Sequence, residues 1–251
     1  MTSESHNIPV QPGPPVAIII GATSGIGKET ALQFASNGYH VVIGGRRVEL
    51  LHEIADRNPG KFTCLPVDIT DKSIPEKLNA LISEFKNIEV IIICSGIDHP
   101  NPDNDPDIDA EVIRTNVNGF TSIVNYSFQI LKKQRKGHLG VITSVAGIRG
   151  NYLSGAYHAS KAYQINYLEG LRLSAEKSGL PVCITDIRPG YVSTSMMPSE
   201  GAFWIVTPEE AACQIVKAIQ MKKKIVYVSK RWRLIAAILK FIPYAVYKKT
   251  I

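Results

Sequence analysis

Apolar residues fall into two alternating kinds of segment along the chain. Short continuous runs rich in β-branched residues occur at Val16–Ile20, His40–Gly44, Phe62–Val67, Glu89–Cys94, His138–Thr143, Pro181–Ile187 and Lys224–Val228. A run such as Val90-Ile91-Ile92-Ile93 has no polar alternation, which marks a strand covered on both faces. Between the runs lie stretches with helical spacing, roughly residues 25–37, 47–57, 73–86, 108–134, 155–179 and 208–221. Seven strands alternating with six helices predict an α/β fold. The expected form is a doubly wound parallel sheet of about seven strands with helices on both faces, in one domain over residues 16–229. No internal repeat is visible.

The flanks read differently. Residues 1–15 are polar and proline-rich, without the apolar core of a signal peptide, and are expected to be a flexible lead-in. Residues 230–251 form a basic amphipathic tail. No apolar run approaches the roughly 18 residues needed to span a bilayer. The segment Asp98 to Asp109 holds five aspartates and three prolines, but it lacks the glycine and terminal glutamate spacing of a calcium loop. It reads as a solvated loop leading into a helix, and no metal site is expected.

A length of 251 residues suits a single α/β domain, and 45% hydrophobic with 20% charged residues excludes a disordered chain. The formal net charge of +6 invites a nucleic-acid or anionic-membrane reading, so its location matters. Ten Lys and Arg lie between Lys217 and Lys249, and no acidic residue follows Glu210. Residues 1–210 therefore carry 18 basic and 22 acidic groups, a net of −4. The excess belongs to the tail. No nucleic-acid-binding signature accompanies it, and nucleic acid is not an expected partner. The four cysteines form no CxxC pair and suit small buried side chains of a reduced, cytoplasmic protein.

The first strand runs into Gly21-Ala22-Thr23-Ser24-Gly25-Ile26-Gly27, followed by a helix. Gly21 permits a tight turn, Gly25 lets the backbone approach a pyrophosphate, and Gly27 lets helix and strand pack closely. Thr23, Ser24 and Ile26 complete the loop, and the helix N-terminus offers free N–H groups to phosphates. The second strand ends at Gly44-Gly45-Arg46-Arg47, with no acid to hold a ribose 2′-hydroxyl. Two guanidinium groups suit a 2′-phosphate instead, so NADP is expected in preference to NAD.

Tyr157 and Lys161 are four residues apart and share one helix face. An ammonium beside a phenol favours the phenolate, which makes tyrosine a usable general acid and base. Ser144 follows the fifth strand and supplies a hydroxyl for a substrate oxygen. His158 lies about 100° around the helix and is left out of the set.

Gly21 to Gly27, Asn116, Ser144, Tyr157, Lys161 and the turn Pro189-Gly190-Tyr191-Val192-Ser193-Thr194 resemble, in order and spacing, the short-chain dehydrogenase/reductase family. The likeness runs from about Val16 to Val228. It implies a Rossmann-fold NAD(P)-dependent oxidoreductase, a homodimer or homotetramer, acting on a small carbonyl or alcohol. By the same resemblance Tyr157 is the general acid and base. Lys161 binds the nicotinamide ribose, and Ser144 orients the carbonyl. Asn116 holds a water in a proton relay. Asp68 and Ile69 contact adenine, and Gly96 lets the backbone approach the adenosine ribose. Pro189, Gly190, Val192 and Thr194 frame the nicotinamide. Two departures stand out: Ile20 where the family has threonine, and Ile93-Cys94-Ser95-Gly96 where it has Asn-Asn-Ala-Gly. The second removes asparagine hydrogen bonds that must be replaced. A complete Ser144, Tyr157 and Lys161 set favours an enzyme over the alternative, a catalytically silent NADP(H)-binding regulator.

After Thr194, the residues Met196, Met197, Phe203 and Trp204 either face an apolar substrate as a short lid or pack on the body. In the tail, Leu234, Ile235, Ile238, Leu239 and Ile242 follow helical spacing between basic and aromatic residues. That pattern suits peripheral membrane contact, a subunit interface, or packing over the substrate site.

Overall fold

The computed structural model describes residues 13–85, 87–197 and 201–249. Most of the expected lead-in, residues 1–12, lies outside them, as do Pro198–Glu200 of the expected lid.

Seven parallel strands form one sheet: β1 (Val16–Ile20), β2 (His40–Gly45), β3 (Phe62–Pro66), β4 (Ile88–Ile93), β5 (Gly137–Ile142), β6 (Val182–Pro189) and β7 (Ile225–Val228). Their spatial order is β3-β2-β1-β4-β5-β6-β7. The chain leaves β1 for β2 on one side and returns to pair β4 on the other, with Ile18 opposite both Val42 and Ile91. This reversal opens a crevice at the carboxyl ends of β1 and β4, the usual ligand position in such sheets.

The central runs β1, β2 and β4 are buried on both faces because each face meets helices, whereas the edge strands β3 and β7 are only partly covered. Ile18 and Ile20 join a core with Phe120, Ile123, Val124 and Leu168. Ala17 and Ile19 join the opposite core with Ala31, Phe34, Leu51 and Ile215. Full burial of each such isoleucine stabilises the fold by about 1.5–3 kcal/mol. The first face is covered by α3 (Ile74–Glu84), α5 (Phe120–Gln134) and α6 (Gly155–Lys177), and the second by α1 (Gly25–Ser36), α2 (Val48–Asp56) and α7 (Pro208–Gln220).

One predicted helix, 108–134, is three pieces: α4 (Pro106–Ile113), a π-helical turn (Arg114–Gly119) and α5. The start moves to Pro106 because the Asp105 carboxylate caps it, accepting from the Asp107 N–H at 2.9 Å. The π turn carries Asn116, which is fully buried. Two further helices lie in the tail, α8 (Trp232–Phe241) and α9 (Tyr244–Tyr247).

Candidate active site

The glycine loop is held to the end of β2, where Gly21 N–H and Ala22 N–H both donate to the Gly44 carbonyl at 2.8 and 3.0 Å. Its glycines have steric reasons. Gly21 sits at φ +89, and a Cβ there would lie 2.7 Å from the Ser95 nitrogen. A Cβ on Gly27 would lie 2.1 Å from the Gly21 carbonyl oxygen, and one on Gly25 would lie 3.0 Å from Thr194 Cγ2. The loop is therefore pressed between β4 and the turn after β6.

Arg46 and Arg47 are both exposed beside this loop. Arg47 folds across it: Nη2 donates to Thr23 Oγ1 at 2.5 Å and to Ser24 Oγ at 2.7 Å, and Nε donates to Thr23 Oγ1 at 3.2 Å. Arg46 makes no such tie among the described contacts. Asp68 closes its own turn, with one carboxylate oxygen accepting from the N–H and hydroxyl of Thr70, each at 2.9 Å. Ile69 is buried, and its carbonyl packs so closely on Gly119 that a Cβ there would lie 2.8 Å away.

The departure after β4 is repaired locally. Asn116, fully buried, pairs with both backbone groups of Ile97: its Oδ1 accepts from the Ile97 N–H at 2.9 Å and its Nδ2 donates to the Ile97 carbonyl at 2.7 Å. This fixes the turn that carries Gly96, whose Cβ would lie 3.3 Å from Asn116 Oδ1 and 3.4 Å from Lys161 Nζ. Cys94 beside it is half-buried, its thiol pushed up to about 12 by desolvation, so it stays protonated. The cysteines depart from the expectation of burial: Cys64, Cys94 and Cys183 are half-buried and Cys213 is exposed on α7.

Ser144, Tyr157 and Lys161 converge at the carboxyl end of the sheet. Ser144 caps a short 3₁₀ turn (Val145–Ile148), its Oγ accepting from the Ala146 N–H at 3.0 Å. Lys161 Nζ lies 5.6 Å from the centroid of the Tyr157 ring. The expected lowering of the tyrosine pKa is not what this arrangement produces. Burial pushes Tyr157 up to about 12; the Ser144 hydrogen bond opposes this and the nearby Asp98 charge adds to it. Burial also lowers Lys161 to about 8, against the pull of Asp98, Asp186 and Cys94. Desolvation is the largest cause in both cases.

Two residues outside the sequence expectation belong to this cluster. Gln164 is fully buried and bridges two of its members: Oε1 accepts from Lys161 Nζ at 3.1 Å, and Nε2 donates to the Asn116 carbonyl at 2.8 Å. Residues 157, 161, 164 and 168 share one helix face, and a polar side chain on a buried face needs partners. Asp98 has a buried Oδ1 with no partner among the described residues. Burial raises its pKa, opposed by a Ser154 hydrogen bond and by His158, His99 and Lys161.

Pro189 ends β6, and Gly190, Val192 and Thr194 follow in a turn tied down by a parallel bridge between Val192 and Val206. The aromatic residues of the expected lid gather on the tail. Phe203 stacks on Trp232 with ring centroids 5.0 Å apart, and Tyr191 meets Trp232 edge-on at 5.3 Å. Trp204 and Met196 stay partly exposed. Among the described residues no cluster of metal-ligating side chains occurs, and the 98–109 loop instead folds around Asn101, which bonds Asp105 and Asp109.

The family model for short chain dehydrogenases matches residues 15–203. This chain belongs to the short-chain dehydrogenase family. Dehydrogenase/reductase SDR family member 7B of Bos taurus is 30% identical over 234 residues, covering 83% of this chain and 71% of that protein. An uncharacterized oxidoreductase of Staphylococcus epidermidis is 29% identical over 184 residues, covering 72% of this chain and 79% of its own. Among solved structures, a short chain dehydrogenase from Burkholderia cenocepacia in complex with NADP superposes with a TM-score of 0.80 at 21% identity, covering 94% of this chain and 96% of that one. A short chain dehydrogenase/reductase from Burkholderia phymatum in complex with NAD reaches 0.79 at 19% identity, covering 89% and 92%. The fold of this short-chain dehydrogenase is thus shared with neighbours that carry either nicotinamide cofactor.

Proposed function

We propose that this short-chain dehydrogenase is an NADP(H)-dependent oxidoreductase interconverting a carbonyl and an alcohol on a small apolar substrate, with Tyr157 as general acid and base. The observation that carries the reading is the convergence of Ser144, Tyr157 and Lys161 at the carboxyl end of the sheet, opposite the glycine loop.

The residues fit a dinucleotide. Gly25 and Gly96 leave open the places that side chains would fill, next to Thr194 and to Lys161. The N-terminus of α1 directs free N–H groups at the loop. Arg46 is free to meet a 2′-phosphate while Arg47 braces Thr23 and Ser24. Asp68 and Ile69 flank the adenine position, and Pro189, Gly190, Val192 and Thr194 frame the nicotinamide. When bound, the cofactor supplies or accepts a hydride at the substrate carbon.

The chain's own residues handle the proton. In reduction Tyr157 gives its phenolic proton to the carbonyl oxygen, and in oxidation it takes one from the alcohol. Ser144 donates to the same oxygen and holds it against Tyr157. Lys161 holds the ribose hydroxyls, and its ammonium offsets the phenolate that the proton transfer creates. Gln164 is a positioning residue that fixes Lys161 against Asn116. By family resemblance two or four copies associate through α5 and α6.

The test is NADPH oxidation against a panel of aliphatic ketones, steroids, quinones and 3-oxoacyl thioesters. Turnover with at least one ketone, lost in Tyr157→Phe while NADPH still binds, supports the reading. Tight NADPH binding with no turnover on any of them would shift it to a silent regulator.

A further inference from the structure

The tail helix α8 has two faces with different fates. Its inner face is fastened beside the active site. Trp232 is buried against Gly190, where a Cβ would lie 2.0 Å from the indole. The Arg149 guanidinium, five residues beyond Ser144, donates to the carbonyls of Leu239 and Ile242 at 3.3 and 3.0 Å and so satisfies the carboxyl end of the helix. It also stacks over Tyr247 at 4.6 Å, and the Tyr247 hydroxyl donates to the Gly150 carbonyl at 2.6 Å. The tail is thus a docked element at the rim of the substrate mouth.

Its outer face is apolar and open. Leu234, Ile238 and Phe241 follow one another at i, i+4 and i+7 and are 63, 50 and 79% exposed, and Tyr244 continues the line at 74%. Phe203, Trp204 and Ile205, also exposed, lie at the start of the helix, where Phe203 and Trp204 meet Trp232 and Arg231 lies 6.0 Å over the Trp204 ring. Six cations bracket the stripe: Lys230, Arg231, Arg233, Lys240, Lys248 and Lys249. No carboxylate side chain occurs from residue 211 onward.

We propose that this face docks on the surface of a bilayer containing anionic phospholipid, with the active-site mouth opening toward the leaflet. Charge and shape select that partner. A second copy of the chain would set the same six cations against one another across a two-fold axis with no acid of the patch to pair them. A nucleic acid would use the cations but leave the apolar stripe unpartnered. An anionic bilayer takes both, with lipid phosphates on the cations and the stripe in the acyl boundary. Ten residues of helix measure about 15 Å, too short to cross and suited to lying in the interface. Building on the oxidoreductase reading, the substrate is a membrane-borne amphiphile whose carbonyl or alcohol reaches Tyr157 along the Trp232 rim.

Co-sedimentation of the full chain with phosphatidylcholine vesicles, and with phosphatidylcholine vesicles containing phosphatidylglycerol, tests the docking. Binding is expected on the second and weak on the first, and salt near 0.5 M should release it. The double variant Ile238→Glu with Phe241→Glu, and separately Lys240→Glu with Lys248→Glu, should each weaken binding roughly tenfold or more. Unchanged thermal midpoint and NADPH affinity show that each variant is folded. Tyr157→Phe should bind vesicles like the native chain, so loss of the catalytic reading leaves this test intact. Absence of binding to anionic vesicles, equal binding by all variants, self-association that Phe241→Glu abolishes without vesicle binding, or binding to DNA alone would each overturn the proposal.

Discussion

Lys161 is the most constrained residue of the site. It is buried with its ammonium among the Gln164 amide, the Ile142 carbonyl and the Tyr157 ring, and burial lowers its pKa from 10.5 to about 8. The folded chain therefore releases this proton before the unfolded chain does. Between pH 8 and 10.5 the unfolded state binds more protons, so this group's contribution to stability rises with pH. Urea unfolding of the native chain should gain about 3 kcal/mol over Lys161→Met across that window, and a constant difference would contradict the assignment. Gln164→Leu keeps the volume and removes both bonds. Removing the partner of the Asn116 carbonyl and leaving Lys161 Nζ with the Ile142 carbonyl alone should cost about 1–3 kcal/mol. The pH–rate limb reporting Tyr157 deprotonation should also move to higher pH, because Lys161 loses a dipole that favours its charged form. A lower midpoint of unfolding with an unmoved limb would mean that Gln164 only fills space. Tyr157, Lys161 and Ser144 were legible because their spacing is local and specific. Gln164 and Asp98 were not, since their roles depend on contacts 48 residues away and on a loop that composition marks only as polar.

At the scale of elements, the strands and most helices follow directly from apolar runs and helical spacing, with ends displaced by a residue or two. The exception is the 108–134 region, where continuous apolar spacing hides the π turn. Such a turn is set by the tertiary pairing of Asn116 with Ile97, which local periodicity does not encode. The glycine loop is a second element whose internal bracing emerges only in three dimensions. Arg47 holds Thr23 and Ser24, so Arg47→Ala should weaken NADPH and NADH binding alike. Arg46→Ala should weaken NADPH by roughly ten- to a hundredfold and leave NADH nearly unchanged, as measured by fluorescence titration. Equal losses in Arg46→Ala would contradict a 2′-phosphate role. Trp232 belongs to this scale too, because it joins the tail to the Gly190 turn. Trp232→Ala should lower unfolding stability by roughly 3–5 kcal/mol in a denaturant titration, and an unchanged midpoint would mean that α8 is not part of the folded unit.

Across the whole molecule, the net charge divides into two populations that do different work. The body is at −4 over residues 1–210, with Lys161 beside the Tyr157 ring and Arg46 and Arg47 exposed beside the glycine loop. The tail carries the excess, is fastened to the rim by Arg149 and Trp232, and leaves its apolar face outward. No helix of the described residues is long and apolar enough to cross a membrane. The fold was readable from the chain, whereas the docking of the tail beside Ser144 was not. The Arg149 and Tyr247 hydrogen bonds that help secure it span 90 or more residues. The central claim is that Tyr157 moves the proton in an NADPH-dependent carbonyl reduction. The most direct measurement follows NADPH oxidation by native protein and Tyr157→Phe on the same ketone, with NADPH affinity determined separately for both. Native turnover, a loss of roughly a hundredfold or more in the variant and equal NADPH affinity are the predicted result. Turnover retained by Tyr157→Phe would contradict it.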